Sequence, residues 1–421
     1  MSRKLLFKNA LIYTLTDVIN KAIPFLLLPI LTHYLSPADY GIVALYAAFI
    51  AILSVFIFVN MDNALNIAFY KISFSELRIY NANVIMIALG ISISIAIIIL
   101  TFYGQIYKLV PLQMFWLLFG VGVVFMQFII GINLVLWQAE QKALPYGLFQ
   151  IAQTILNLSL ILFLVILSDL TWKGQIIGQG LAIFIFAIIA FYLLLKRKYL
   201  KFDMNAEDMK DALKFGIPLI PLSLAGWFRT GVDRFFLMNF IGASATGLYV
   251  VGFQFGMIIG ILSAAFNKAY NQYLYKKLQS NITDNEKQKL VYFTYLFFIT
   301  ILVLALLLSL ISPWIINTFL DSSYLASTEY VPWITFAFAF QSMYIMIVNY
   351  IYFIKKTKYL AYISFLAGII HVILSYILIK ENGSIGAAQA SLFSFLLMFV
   401  SVWYLSAKVY PMPWFNIMKK G

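Results

Sequence analysis

Apolar segments long enough to cross a lipid bilayer recur along this chain, and they restrict its fold more than any other feature. About 20 apolar residues cross the hydrocarbon core as a helix, and a helix satisfies its own backbone hydrogen bonds where water is absent. Of the 421 residues, 63% are hydrophobic and 11% are charged, whereas soluble domains carry about 25% charged residues. We therefore predict an all-α integral membrane protein with twelve transmembrane helices. The predicted spans cover residues 10–31, 41–64, 81–103, 112–137, 148–168, 175–195, 215–240, 246–268, 290–311, 331–353, 359–379 and 385–406.

Basic residues fall in alternate loops, which predicts the orientation of the chain. Of the 29 lysine and arginine residues, only Lys108, Lys173 and Lys380 lie in the loops on the side opposite the N-terminus. Because cytoplasmic loops carry the excess of Lys and Arg, both termini are predicted to be cytoplasmic. The net charge of +13 then reflects loop placement and contact with anionic lipid head groups. We expect the lipid bilayer as a partner and no nucleic acid.

The predicted spans divide into two similar halves. The charged stretch 196–214 separates six spans from six, so we predict an N-terminal lobe of residues 1–205 and a C-terminal lobe of residues 206–421 that ends in a short cytoplasmic tail. Segment 32–49 aligns with segment 238–255, and six spans lie between them. An even number of spans makes the two copies run in the same direction. We expect two parallel-repeat six-helix lobes around a central cavity, with spans one and seven facing it.

Five charged residues lie inside spans one and seven, at equivalent places in the two halves. A charge near the bilayer centre costs about 2.5–3.5 kcal/mol on insertion scales, so such groups face a protein interior or a watery cavity. The rise of a helix places Lys21 and Arg229 near the midplane, and Asp17 and Asp233 are their i,i+4 partners. Lys21, Arg229 and Arg234 are predicted to bind an anionic substrate group, unless Arg234 extends to lipid head groups. Asp17 and Asp233 are predicted to form charge pairs, and Asp17 alternatively couples an ion.

Neutral polar residues provide a second set of candidates. Gln150, Gln153 and Asn157 share one face of the fifth span, and we predict that they bind substrate. Helix–helix hydrogen bonds use the same residue types, so packing is the alternative for each. His371 lies in the eleventh span, where it either carries protons between groups or packs with a hydrogen-bonded partner.

Enzyme motifs are missing from the sequence. There is no P-loop, nucleophile elbow or HExxH sequence, and the chain has two histidines. It also has no cysteine, which excludes a disulfide framework and a thiolate metal site. We expect no catalytic residues, no resident metal and no cofactor. Without a nucleotide site, the energy for transport must come from a proton or sodium gradient, or from the substrate gradient.

Three segments carry a resemblance to a known family. The run YLSPADYGIVALY (34–46) follows the first span, MDNALNIAFYK (61–71) ends the second, and VDRFFLMNFIGASATGLYVVG (232–252) lies at the equivalent place in the second half. In these runs, and in its length and span number, the chain resembles the Wzx-type flippases of bacterial polysaccharide synthesis. Their superfamily also holds the MATE drug exporters and the MurJ-type lipid II flippases.

The resemblance implies a substrate and a place in the cell. Wzx-type flippases move a polyisoprenyl-diphosphate-linked oligosaccharide, such as an O-antigen unit, from the cytoplasmic to the outer leaflet of the bacterial inner membrane by alternating access. The implied partners are the lipid-linked oligosaccharide and proteins of polysaccharide assembly, and we expect a monomer.

Two other functions remain open at this point. An ion-coupled exporter of small organic cations, similar to MATE proteins, is expected to have an acidic cavity. A membrane polysaccharide polymerase is expected to carry acidic or arginine-rich motifs on a large outer loop. The longest predicted outer loop, 312–330, contains Asp321 and Glu329 but no basic residue, so the polymerase ranks third.

Overall fold

The computed structural model describes residues 12, 13, 16, 20, 23, 25, 27–280 and 282–414. These residues form helices, and no β-strand occurs among them. A π-helical turn, Phe163–Leu167, extends α7, and two 3₁₀ segments cover Ile217–Leu219 and Ser322–Glu329. The helices are α1 (residues 27–34), α2 (Pro37–Phe58), α3 (Met61–Lys71), α4 (Phe74–Thr101), α5 (Tyr103–Leu109), α6 (Met114–Ala139), α7 (Ala143–Leu162), α8 (Thr171–Lys196), α9 (Ala206–Gly216), α10 (Ile220–Thr230), α11 (Val232–Phe240), α12 (Ala243–Gln279), α13 (Asp284–Phe319), α14 (Val331–Phe353), α15 (Thr357–Asn382) and α16 (Ile385–Val409).

Ten helical stretches in the described residues are long and apolar enough to cross a membrane. Two of these stretches are composite: α2 continues into α3, and α7 continues into its π turn. The other eight are the single helices α4, α6, α8 and α12 to α16. Each overlaps one predicted span, and the chain is a multi-pass membrane protein. Half of the predicted first span, 10–31, lies outside the described residues.

The seventh predicted span is broken into short helices. Pro218 stands at the start of the 3₁₀ segment Ile217–Leu219, and Pro221 lies in the first turn of α10. Proline has no backbone N–H to donate, so these positions interrupt the regular hydrogen-bond ladder. A second break falls at Gly231, where the backbone leaves helical geometry (φ −123°, ψ −38°) between α10 and α11. The predicted span over residues 215–240 is therefore helical but interrupted, at the prolines and again at Gly231.

The chain forms two compact units. One unit joins the described residues up to 23 with Asp39–Trp227, and the other joins Phe25–Ala38 with the chain from Phe228 onward. The predicted division between residues 205 and 206 falls ahead of α9, a helix that packs on α3 and α4 of the first unit.

Hydrogen bonds hold the segment before α9, and α9 itself, to α4. The Asn83 side chain donates to the Asp203 carbonyl (3.0 Å) and accepts from the Asn205 N–H (3.1 Å). The Tyr80 hydroxyl donates to Asp211 (3.3 Å). These bonds tie the polar stretch between the two halves of the sequence to the first unit.

In the first unit, α8 approaches α7 closely through two glycines. A Cβ at Gly174 would lie 2.9 Å from the backbone of Leu164, and one at Gly178 would lie 2.9 Å from the backbone nitrogen of Ile161. The two glycines are four residues apart and therefore share one face of α8. Helices in membranes associate through such small residues, because dispersion contacts replace the hydrophobic effect there.

A polar cluster joins the ends of α6 and α8. Arg197 donates to Glu140 at 2.6 Å and to Asn133 at 2.9 Å, and the Tyr199 hydroxyl donates to Glu140 at 2.5 Å. Burial acts to raise the pKa of the Glu140 carboxyl, but the hydrogen bonds from Tyr199 and Arg197 and the Arg197 charge hold it below its ordinary value. Burial, together with the carboxylate, raises the pKa of Tyr199 to about 12. Glu140 is therefore a carboxylate in neutral solution, and the cluster stays joined.

The second unit is organised around α14, which packs against α12, α13 and α16. Aromatic rings fill its core near the C-terminal end of the described chain. The Trp403 ring lies 6.0 Å from that of Phe298 and 5.8 Å from that of Trp414. The Tyr295 hydroxyl donates to the Trp414 carbonyl at 2.7 Å. This contact ties the residues after α16 to α13.

We predict opposite effects of alanine at two glycines of the first unit. Gly178→Ala places a methyl against the backbone of α7 and should destabilise the protein by about 1–3 kcal/mol, the cost of overpacking. Gly122 on α6 has open space at its Cβ position, so Gly122→Ala should be neutral or stabilise by about 0.5–1 kcal/mol. Thermal unfolding of the purified variants in detergent measures both. Equal midpoints for the two would contradict the close approach of α7 and α8.

Candidate functional site

A polar cavity of about 250 Å³ lies among the membrane helices of the first unit. Six of its lining side chains are carboxamides, contributed by the described part of the first predicted span and by α6, α7 and α8. None of the described lining residues is charged. We name this cavity the carboxamide pocket, and its lining residues are Asn20, Gln127, Gln150, Gln153, Thr154, Asn157, Gln179, Ala182 and Ile183.

Helical spacing and close helix contacts position these carboxamides. Gln150, Gln153 and Asn157 lie on one face of α7, as predicted, and Gln127 lies near the middle of α6. Gln179 follows Gly178, the residue at which α8 meets α7. The Gln179 carboxamide lines the same cavity as the carboxamides of α7.

Hydrogen bonds join the first predicted span to α7 at the edge of the pocket. The Asn20 carboxamide donates to the Gln150 side chain at 3.1 Å and accepts from the Thr154 hydroxyl at 2.8 Å. The Gln150 carboxamide also donates to the Tyr146 hydroxyl at 3.3 Å. At Gly147, a Cβ would lie 3.0 Å from the Thr16 hydroxyl, so a small residue at this position allows the two segments to approach.

Part of the hydrogen-bonding capacity of the pocket is unused. The side-chain oxygen of Asn157 is buried and has no hydrogen-bond partner among the residues that the structure describes. A buried polar atom without a partner costs about 1–3 kcal/mol. Each carboxamide offers both donors and acceptors, so the pocket can bind a neutral ligand that carries hydroxyl groups.

The prediction from the sequence covered only part of this pocket. It selected Gln150, Gln153 and Asn157 because they share a face, and the structure places all three in the lining. It did not select Gln127 or Gln179, which are each on a different helix. Both could have been selected from the sequence, because each is a carboxamide inside an apolar span, where polar side chains often serve a function.

A second, ionisable cluster lies in the second unit around Asp233. This carboxylate is fully buried on α11. It accepts hydrogen bonds from Ser375 (2.6 Å) and Tyr249 (2.7 Å), and its oxygen lies 3.1 Å from the Nε2 atom of His371. The other ring nitrogen of His371 lies 2.7 Å from the Ser394 hydroxyl. Helices α11, α12, α15 and α16 each contribute to this network, which we name the Asp233–His371 cluster.

The structure does not pair Asp233 with Arg229, as the i,i+4 spacing predicted. The break at Gly231 separates the two residues and removes the helical register on which that prediction depended. His371, Ser375 and Tyr249 contact the carboxylate instead. Arg229 is half-buried and close enough to Tyr344 to interact with it electrostatically.

Arg234 is buried inside the second unit and does not extend to lipid head groups. Its side chain is 8% exposed, and its guanidinium lies 4.4 Å from the ring centre of Phe253 and 5.6 Å from that of Tyr249. It also donates to the carbonyl of Thr230. Cation–π contacts of this kind stabilise a cation that has lost its water. The other two predicted charges, Asp17 and Lys21, lie outside the described residues.

Comparison with known proteins gives a consistent group of relatives. The sequence profile of a family described as polysaccharide biosynthesis protein matches residues 6–270. An uncharacterized membrane protein of Haemophilus influenzae is 25% identical over 373 residues, covering 87% of this chain and 89% of the relative.

Solved structures share the fold. An inward-facing multidrug resistance MATE family transporter of the MOP superfamily superposes with a TM-score of 0.72 at 14% identity, covering 92% of this chain and 94% of that one. The lipid II flippase MurJ in an inward closed conformation also gives 0.72, at 15% identity, covering 96% and 87%. This likeness confirms the predicted fold class, an all-α membrane protein of twelve helices in two lobes.

We predict that Tyr249→Phe destabilises the protein through Asp233. The substitution removes one donor from a fully buried carboxylate, which should cost about 1–3 kcal/mol. Tyr80→Phe is the matched control, because it removes a hydroxyl that donates to the exposed Asp211, where water can replace it. Thermal unfolding in detergent should show a clearly larger loss for Tyr249→Phe. Equal losses would show that the buried carboxylate does not depend on this bond.

Proposed function

Because this chain belongs to the polysaccharide biosynthesis protein family, we propose that it is a flippase for a polyisoprenyl-diphosphate-linked oligosaccharide. It moves the repeat unit of an O-antigen or similar surface polysaccharide from the cytoplasmic to the outer leaflet of the bacterial inner membrane, by alternating access. The carboxamide pocket carries this proposal. The fold, which is that of a transporter and a flippase, agrees with the expectation that the chain is not an enzyme.

The chemistry of the pocket suits a sugar. An oligosaccharide presents many hydroxyl groups and no fixed positive charge, and each hydroxyl can donate and accept hydrogen bonds. Asn and Gln side chains match this pattern, since each has an acceptor oxygen and a donor nitrogen. An organic cation would instead be bound by a carboxylate or by aromatic faces. None of the described lining residues provides a carboxylate, so the exporter of organic cations is the weaker alternative.

The diphosphate of the substrate needs positive charge. Arg229 is the half-buried cation of the broken span, and we assign it to the diphosphate because a guanidinium binds phosphate oxygens in a planar, bidentate way. Lys21 is assigned the same role from its sequence position. Arg234 already contacts two aromatic rings, and we assign it to balancing the buried Asp233 charge.

The Asp233–His371 cluster supports coupling to protons. A carboxylate and an imidazole in contact can pass one proton between them. The groups that contact the pair are Tyr249 on α12, Ser375 on the helix of His371, and Ser394 on α16, and Arg234 lies over the Tyr249 ring. Water stabilises the charge of a carboxylate, and a dry site disfavours it. A change in water access would therefore move the proton, which is the requirement for coupling. Asp17 keeps its predicted role as an alternative.

We predict that carboxamide variants of the pocket lose affinity for the sugar and keep affinity for the lipid. Gln153→Leu and Asn157→Leu should each weaken binding of a lipid-linked oligosaccharide by about 2- to 10-fold, the effect of one hydrogen bond. Binding of a polyprenyl diphosphate without sugar should be unchanged. Titration of the protein in nanodiscs with both compounds measures this. Gln138→Leu is the control, an exposed carboxamide on α6 outside the pocket. Unchanged affinity for the oligosaccharide in both pocket variants would refute the assignment.

We predict that Asp233→Asn abolishes stimulation of flipping by a pH gradient. The measurement is the ratio of flipping rates with and without the gradient in reconstituted vesicles, because a variant that is merely slower keeps that ratio. Asp321→Asn is the control: this partly exposed residue precedes the 3₁₀ segment Ser322–Glu329 and accepts from the Ser323 N–H, which an asparagine can also do. If the unaltered protein flips equally fast with and without the gradient, proton coupling fails.

A further inference from the structure

A groove lined with aromatic rings runs along α12 and α13 in the second unit. Its wider part has a volume of about 700 Å³, and a narrower part of about 340 Å³ continues it. Phe266 and Phe293 line both parts, so the two form one continuous surface feature. We name it the aromatic groove.

The groove exists because α12 and α13 pack mainly on α14 and little on each other. Two consecutive helices joined by a short connection usually pack along their length. Here they diverge, and aromatic side chains line the space between them. Phe266, at its centre, has an exposed fraction of 37%.

Four of the rings in the groove stack in parallel around Phe266. The angle between the ring plane of Phe266 and that of its neighbour is 12° for Tyr270, 24° for Phe293 and 19° for Phe297. Ring centres in these pairs lie 4.9–6.1 Å apart. Most other aromatic pairs of the second unit meet edge to face, as Phe253 and Phe338 do. The stack gives the groove an apolar wall that can make dispersion contacts with an extended occupant along its length.

One end of the groove carries positive charge. Lys277 and Glu286 form an ion pair at 2.8 Å. Lys289 also lines this end, is exposed and has no ion-pair partner in the described part of the chain. The lining therefore has a net positive charge at the end that the distribution of basic residues predicts to be cytoplasmic. An anionic head group would be bound there.

The length of the groove matches one leaflet. From Lys289 to Ile301, α13 rises about 18 Å at 1.5 Å per residue. Half of the hydrocarbon core is about 15 Å. The groove thus runs from the head-group level to the middle of the bilayer, on the side from which the proposed substrate starts.

We propose that the aromatic groove binds the isoprenoid chain of the lipid-linked substrate in the cytoplasmic leaflet, with Lys289 at the phosphate end before the diphosphate reaches Arg229. This rests on the proposed function. Each isoprene unit contains a double bond and a methyl branch, and these apolar units pack against the stacked rings. The groove therefore holds the substrate by its lipid, separately from the sugar contacts of the carboxamide pocket.

The test is photolabelling of the full-length protein in nanodiscs with a polyprenyl monophosphate that carries a diazirine on its chain. Peptide mass spectrometry should place the label on residues 262–277 and 289–301. Excess unlabelled polyprenyl phosphate should suppress this labelling about tenfold, and excess phosphatidylglycerol should not. Equal suppression by phosphatidylglycerol would show a general phospholipid site and overturn the proposal.

Two substitutions locate the site, and a second crevice supplies the control. Ala269 is an exposed small residue in the lining, so Ala269→Trp should fill the groove and reduce labelling about tenfold. Lys289→Gln should reduce labelling by the phosphate probe and leave labelling by the corresponding neutral polyprenol unchanged. The control is Leu396→Trp, in an apolar crevice of about 450 Å³ that has no charged lining residue. Equal labelling of this crevice, or full labelling of Ala269→Trp, would overturn the proposal.

The labelling does not require transport, so the two proposals fail separately. Labelled groove peptides in a protein that flips no lipid-linked oligosaccharide would refute the proposed function and leave a lipid site. Flipping without groove labelling would refute the groove and leave the function. Thermal unfolding of Ala269→Trp, expected to match that of the unaltered protein, shows that loss of label is not loss of fold.

Discussion

Hydrocarbon provides no hydrogen-bond partners, and most features of this protein follow from that one constraint. Each backbone in a span must satisfy itself as a helix, and each polar side chain must find a partner in the protein or in a ligand. The buried Asp233 has a full set of partners, supplied by three other residues. The carboxamide pocket meets the requirement only partly, since the side-chain oxygen of Asn157 has none in the described chain. We interpret the first arrangement as an internal network that is complete without a ligand, and the second as a site prepared for one.

The two units carry different chemistry at membrane depth. The first presents neutral carboxamides around a cavity, and the second holds a carboxylate, an imidazole and a guanidinium in a fully packed cluster. This division suits a transporter that must recognise a cargo and also respond to an ion. Under the proposed function, the sugar site then needs no charge of its own, and the pair proposed to couple protons need not contact the cargo.

The sequence was sufficient for the membrane spans and insufficient for their interruptions. Spans were predictable because a length of apolar residues has one stable form in a bilayer. The break at Gly231 was not predictable, since glycine is common inside transmembrane helices and only the surrounding packing decides whether the helix stops there. The failed Arg229–Asp233 pair follows directly from this break. Likewise, sequence spacing was enough to predict which side chains share a face of α7. It was not enough to place Gln127 and Gln179 beside that face, because their positions depend on how α6, α7 and α8 pack.

A lining of carboxamides has a consequence for which sugars can be carried. Asn20 and Gln150 are held in one orientation by their hydrogen bonds, but an Asn or Gln amide without such bonds rotates easily, and a half-turn exchanges its donor and its acceptor. Two sugars that differ only in whether a hydroxyl is axial or equatorial would therefore meet the same pocket with a different set of amide orientations. Such a lining separates sugars poorly by stereochemistry and well by charge and size. Under the proposed function, a cell that altered the monosaccharides of its surface polymer could retain this protein without changing a residue of the pocket.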